Sequence, residues 1–176
     1  MQHGDEQAEP PGATFLVSSE SETEALGSRI ADAIEPGLVV GLVGELGAGK
    51  TRLVRAVATS LGADPQVVNS PTFVLVQQYD ARVPVVHCDT YRLRDEDEFA
   101  ELGPEELFAS GGVCFIEWSD RVADALPEDY LRIELAATGP TARLIRLEAT
   151  GPKSRRVLDR IERTLRFSRG ENASDD

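Results

Sequence analysis

Several residue types and patterns that would mark a function class are scarce or missing. Only two of the 176 residues are cysteine, Cys88 and Cys114. That is too few for a disulfide framework, and both stand in apolar runs, so they read as reduced core thiols. No zinc-ligand spacing is present, and no N-K-x-D segment that would read a guanine. The longest strongly apolar stretch, Leu38 to Val43, falls far short of the roughly 20 residues of a membrane span. The first 30 residues lack the basic start and apolar stretch of a signal peptide. The cytoplasm is therefore the expected compartment, with no membrane partner. Positive charge is also scarce, with 18 Lys and Arg against 31 Asp and Glu, a net charge of −13. This balance argues against autonomous binding to DNA or to other nucleic acid. The basic minority is unevenly placed, with half of it from Arg143 onward.

What remains is an ordinary globular composition. Apolar residues make up 41% and 15 glycines are present, enough for one domain that buries a core without a disulfide or metal. Residues 1–12 and 169–176 read as disordered tails around a domain at 13–168. Within it, Thr14 to Val17 predicts a short strand. Ser21-Glu22-Thr23-Glu24 then suggests a capping box for a helix with Ala25, Leu26, Ile30, Ala33 and Ile34 on one face. Leu38 to Val43, apolar throughout, predicts a strand covered on both faces. A helix follows from about Gly49 to Leu61. Strands are expected at Phe73 to Tyr79, Val83 to Asp89 and Val113 to Ile116. Between the last two, seven acids from Asp95 to Glu106 predict short helices with a solvated face. Tyr130 to Leu135 and Arg143 to Glu148 alternate as strands with one solvent side. Ser154 to Phe167 reads as an Arg-rich amphipathic helix. The expected fold class is α/β: a phosphate-loop NTPase with three α/β/α layers and a mixed central sheet that includes antiparallel strands.

The strongest local signal is Gly44-Glu45-Leu46-Gly47-Ala48-Gly49-Lys50-Thr51, which fits G-x-x-x-x-G-K-[ST] between a buried strand and an amphipathic helix. Glycines let the backbone wrap a phosphate, so that consecutive N–H groups and the helix dipole meet one anion. Lys50 can reach the β- and γ-phosphates, and the Thr51 hydroxyl is placed for Mg²⁺. Such a loop does not activate the attacking group, so carboxylates are sought at the ends of neighbouring strands. Asp89 and Glu117 both qualify. One would hold Mg²⁺ directly or through water while the other orients or deprotonates the attacking water, and the sequence does not assign the two roles.

Asn69-Ser70-Pro71-Thr72-Phe73 is a polar segment broken by proline, the kind that acts as a nucleotide-sensing switch, with Ser70 and Thr72 as candidates. Read alone, it is better taken as a turn with Ser as a local backbone cap. His87 shares a strand face with Asp89, as a site partner or a structural histidine. Trp118 is either a docking surface or a core anchor, and Tyr91 and Arg92 could position phosphate or a partner. No second phosphate-binding arginine is obvious, which predicts slow hydrolysis by the isolated protein.

In order along the chain, GELGAGKT, SPTFVLVQQY, HCDTYRL, ELGPEELF, GVCFIEWSDR and LPEDYLRIEL resemble the TsaE (YjeE) family, from about Thr14 to Glu148. These are small ATPases that support formation of threonylcarbamoyladenosine beside the anticodon of ANN-reading bacterial tRNAs. The resemblance implies ATP and Mg²⁺ as ligands and the TsaD and TsaB proteins as partners, with tRNA engaged indirectly through that complex. It further implies that hydrolysis resets the complex between turnovers. On this chain it implies that Gly44 to Thr51 hold the phosphates and that Thr51 and Glu117 bind Mg²⁺. Asp89 becomes a catalytic or water-mediated carboxylate. Thr72 falls in a switch-like segment, Trp118 in a Glu-Trp pair, and Ser18 and Ser19 near the base. Val74 and Gln78 stand where the family often has Thr and Glu, so no polar role carries over there. The alternatives are a small-molecule kinase, and a nucleotide-dependent binding module without a substrate of its own.

Overall fold

The structure, a computed structural model, describes residues 12–71 and 73–170, with side chains as far as residue 164. The expected switch residue Thr72 lies outside the described residues, as do residues 1–11 and 171–176 of the expected tails and the Leu165 and Phe167 side chains. In chain order the elements are β1 (Gly12–Val17), α1 (Glu20–Ala33), β2 (Val39–Val43), α2 (Lys50–Ser60), β3 (Val76–Tyr79) and β4 (Val85–Asp89). They continue as α3 (Glu96–Glu101), α4 (Pro104–Phe108), β5 (Val113–Glu117), a 3₁₀ segment (Ser119–Ala125), β6 (Leu131–Ala137), β7 (Arg143–Ala149) and α5 (Pro152–Gly170). Among the described residues, no helix is long and apolar enough to cross a membrane.

The seven strands form one mixed sheet in the order β1-β7-β6-β2-β5-β4-β3. β2 runs parallel to β5 and β6, and β4 runs parallel to β5. The β1–β7, β6–β7 and β3–β4 pairs are antiparallel. The continuous apolar runs are central because each face has a cover. Val40, Leu42 and Phe115 join Leu26, Leu53 and Leu158 of α1, α2 and α5 in one core. Val39, Cys88, Cys114 and Ile116 point the other way, onto Phe99 of α3 and Val122 of the 3₁₀ segment. The third layer stops at β2. Beyond it, β6 buries Leu131, Ile133 and Leu135, while Arg132 on the open face pairs with Glu134 at 2.9 Å and Glu148 at 3.2 Å. Both cysteines are free and buried. A hydrogen bond with Cys88 and burial push the Cys114 thiol well up, which keeps it unreactive.

Two expected boundaries shift for physical reasons. α1 starts two residues earlier than the expected capping box. Ser19 is the N-cap, accepting from Glu22 N, and the Glu22 carboxylate accepts from Ser18 N at 2.7 Å. Ala25, expected on the inner face, is exposed, and Thr23 and Gly27 are buried instead. β3 is the C-terminal half of the expected strand. The N–H groups of Val74 and Leu75 are turned onto Pro71 O, and Leu75 adopts φ 65°, so Phe73 (86% exposed) and Val74 stand in solvent rather than in the ladder.

α5 is capped from a distance. Asp129 accepts from Lys153 N at 2.6 Å and Ser154 N at 2.9 Å. Burial pushes this carboxyl up, but the Ser154 and Lys153 amides, the Ser154 hydroxyl and the Lys153 charge outweigh burial and hold it below the ordinary carboxylate range. Its stabilisation is therefore present above the unfolded aspartate pKa of about 3.9 and is lost as pH falls through the lower folded value. Asp129→Ala should lower stability at neutral pH by about 1 kcal/mol, as for a lost cap, and should flatten the acid limb of stability below about pH 4. Urea unfolding across pH measures both effects.

Candidate active site

The parallel register sets Asp89 opposite Glu117 at the carboxyl ends of β4 and β5, and β2 beside them ends in the phosphate loop. Two glycines allow the loop its path. A Cβ on Gly44 would sit 2.4 Å from Leu135 O, and Gly49 caps α2 at φ 104°, a conformation that L side chains rarely adopt. The α2 N-terminus consequently opens into a cleft of about 560 Å³, within the roughly 300 to 1,000 Å³ range of small-ligand sites. Leu46 to Thr51 line it with Asp89, Glu117 and Trp118.

Lys50, buried, reaches back over the loop to Gly44 O at 2.6 Å and Glu45 O at 3.0 Å, with its ammonium 3.7 Å from the Trp118 ring centre. Burial lowers its pKa, opposed by the charges of Glu117, Asp89 and Asp120. The Thr51 hydroxyl donates to Glu117 Oε1 at 2.7 Å. Asp89 accepts from Ser70 Oγ at 2.8 Å on one oxygen and from Tyr91 N at 2.9 Å on the other. A hydroxyl and two carboxylates meet the needs of Mg²⁺, which takes one or two carboxylates together with substrate phosphates. Among the described residues no group of three or more His, Cys, Asp or Glu could cage a metal unaided.

Trp118 packs on Tyr91, centroids 4.9 Å apart, at a positive φ of 59°. The Thr90 hydroxyl, placed 2.9 Å from both Glu117 O and Trp118 O, secures that turn. Among the described residues, Trp118 and Leu75 are the non-glycine residues at positive φ. A conformation of this kind costs about 1 to 3 kcal/mol, and it persists where the surroundings enforce it. Ser70 joins the site through Asp89. Ser19 lines the cleft, whereas Ser18, expected near the base, is exposed beside it with its N–H on Glu22. Arg92 stacks over Phe73 at 4.6 Å, outside the cleft lining.

Arg143, unmarked in the sequence except as a strand start, braces the loop from β7. It donates to Ala48 O at 2.9 Å, Gly47 O at 3.3 Å, Gly139 O and Ala142 O. Turning loop carbonyls toward this cation leaves the N–H edges for an anion. The other arginine on the cleft, Arg52, pairs with Glu20. No local pattern marks Arg143, because 95 residues separate it from the Ala48 carbonyl it holds.

The family profile described as "Threonylcarbamoyl adenosine biosynthesis protein TsaE" matches residues 17–145. A relative from Bacillus subtilis named "tRNA threonylcarbamoyladenosine biosynthesis protein TsaE" is 37% identical over 143 residues, which is 81% of this chain and 89% of its own. A second of that name, from Treponema pallidum, is 40% identical over 117 residues, 66% of this chain and 86% of its own. The crystal structure of Bacillus subtilis YdiB superposes with a TM-score of 0.76 at 28% identity, covering 90% of this chain and 99% of that one.

Proposed function

We propose, from the premise that this chain belongs to the TsaE family of threonylcarbamoyl adenosine biosynthesis proteins, that it is a Mg²⁺-dependent ATP hydrolase serving the TsaD–TsaB pair in tRNA modification. The observation that carries the hydrolase reading is the 2.7 Å contact of Thr51 with Glu117 at the head of α2. It brings the hydroxyl of the phosphate loop onto a strand-end carboxylate inside the cleft that Lys50 also lines.

In this reading the loop N–H groups and the α2 dipole bind the β- and γ-phosphates of ATP, and Lys50 leaves its loop carbonyls for phosphate oxygens. Mg²⁺, held by Thr51 and Glu117, would neutralise charge developing on the β- and γ-oxygens. Asp89, fixed by Ser70 and Tyr91 N, orients the attacking water and can accept its proton. Leu46 and Trp118 line the cleft beside them. Both arginines bordering the cleft are already engaged, Arg52 with Glu20 and Arg143 with loop carbonyls. A charge aimed at the transition state would then come from a partner, as arginine fingers do elsewhere. This favours a slow isolated enzyme and a faster assembled one.

Phosphate release from ATP by the full chain, alone and with TsaD and TsaB, tests the proposal. The expected result is a rate well below about 10 per second alone and a rise with the partners, with ADP and phosphate as sole products. Absence of hydrolysis in both conditions would overturn it, and a phosphorylated metabolite would indicate a kinase.

A further inference from the structure

We propose that His87 and Tyr79 are positioning residues that hold the Glu117 carboxylate and tie it to the Asn69–Ser70 segment. This role rests on the hydrolase reading above. His87 is fully buried on β4, between Val86 and Cys88, where space-filling alone is served by an apolar side chain. Its Nε2 lies 2.8 Å from Glu117 Oε1, the same oxygen that accepts from Thr51. A carboxylate oxygen accepts, so Nε2 carries the hydrogen, and in that tautomer of the imidazole Nδ1 is the acceptor. Facing Nδ1 at 3.2 Å is the Tyr79 hydroxyl, which completes a chain from Thr51 through Glu117 and His87 to β3.

The Tyr79 oxygen also lies 3.1 Å from Asn69 O and 2.7 Å from Gln77 Oε1. One phenol proton cannot serve three acceptors, and even with the Gln77 amide turned to donate, Asn69 O and His87 Nδ1 share it, so the hydroxyl alternates between the site and the 69–70 segment. The segment is gripped from two further sides. Arg55 of α2 donates to Val68 O and Asn69 Oδ1, both at 2.8 Å, and Ser70 donates to Asp89. Asn69 and Ser70 therefore connect to both strand-end carboxylates, one through Tyr79 and His87 and the other directly. Hydrogen-bond partners behind a metal-binding carboxylate typically contribute about tenfold to 100-fold in metal affinity or activity.

The test titrates ATP into the full chain at stepped magnesium chloride. Fluorescence of Trp118, the single tryptophan, reports binding because Lys50 lies on its ring. His87→Asn retains an amide near the Nδ1 position and loses the donor to Glu117, whereas His87→Gln places an N–H near the Nε2 position. The magnesium midpoint should rise about tenfold or more in His87→Asn and return most of the way in His87→Gln, with magnesium-free ATP affinity little changed in both. Tyr79→Phe, nearly unchanged in volume, should raise the midpoint and speed amide exchange at Asn69 and Ser70. It carries the test even if a histidine variant fails to fold. Equal midpoints in His87→Asn and His87→Gln, or no change of midpoint and exchange in Tyr79→Phe, would overturn the relay. A wild-type protein with no magnesium response would instead overturn the hydrolase reading, and the relay with it.

Discussion

Glu117→Gln is expected to lower ATP hydrolysis by at least about 100-fold, the scale of losing one preorganised charged group at a reaction centre, while ATP affinity without magnesium stays within about threefold. The residue is 3% exposed and its carboxylate receives hydrogen bonds from Thr51 and His87, so the replacement amide keeps shape but loses the negative charge. Both donors converge on Oε1, so the amide oxygen can still accept from them, and the change is confined to the lost charge and to the N–H₂ that replaces Oε2. The loss should therefore appear in kcat and in the magnesium requirement rather than in nucleotide affinity. Single-turnover phosphate release, combined with calorimetric ATP binding in the presence of a chelator, separates the two. Wild-type turnover by this variant would remove Glu117 from the chemistry.

Lys50→Ala should act on the other side of that division. A hydrogen bond to a charged group contributes roughly 1.5 to 3 kcal/mol, which at about 1.4 kcal/mol per decade is about tenfold to 100-fold in affinity. ATP and ADP should both bind more weakly, with ATP more affected because the ammonium can reach the γ-phosphate. The ammonium lies between two loop carbonyls and the Trp118 ring. Lys50→Arg should not restore binding, since a planar fork does not fit a buried site shaped for a compact point charge. Calorimetric titration with each nucleotide measures this, and unchanged affinity in Lys50→Ala would exclude the loop lysine from phosphate contact.

These two residues are legible in the sequence because their signals are local. Lys50 and Thr51 sit in an eight-residue pattern between a continuous apolar strand and an amphipathic helix. Asp89 and Glu117 each close an apolar run at the point where it turns polar. Short-range patterns also marked the alternation in β6 and β7 that leaves one face to water. The strand expected from Phe73 to Tyr79 is confined to Val76–Tyr79, because Pro71 O holds the Val74 and Leu75 N–H groups and the positive φ of Leu75 keeps Phe73 and Val74 outside the ladder. The early start of α1 was missed because two overlapping Ser-x-x-Glu arrangements compete there, and only Ser19 faces a free helix N–H. Thr164 and the residues before it place an ordered amphipathic helix where the basic stretch lies. Arg156 and Arg160 share Glu35, and Arg155 pairs with Asp159, so three of its arginines are paired with local carboxylates.

By itself the sequence determined the chemistry on offer: a loop whose glycines and backbone N–H groups suit an anion, one lysine, one hydroxyl and two strand-end carboxylates, in a chain whose net charge of −13 argues against autonomous binding to nucleic acid. Each of these follows from residue type and near-neighbour spacing, which set backbone freedom, charge and periodicity. Only the tertiary structure decided what those groups touch. The β2-β5-β4 order and its parallel register set Glu117 against Thr51 and opposite Asp89. The same packing brought Arg143 onto the loop from 95 residues away and placed His87 and Tyr79 behind Glu117. Such contacts depend on which strands lie side by side, and that is settled by burying apolar faces over the whole chain rather than by any local pattern.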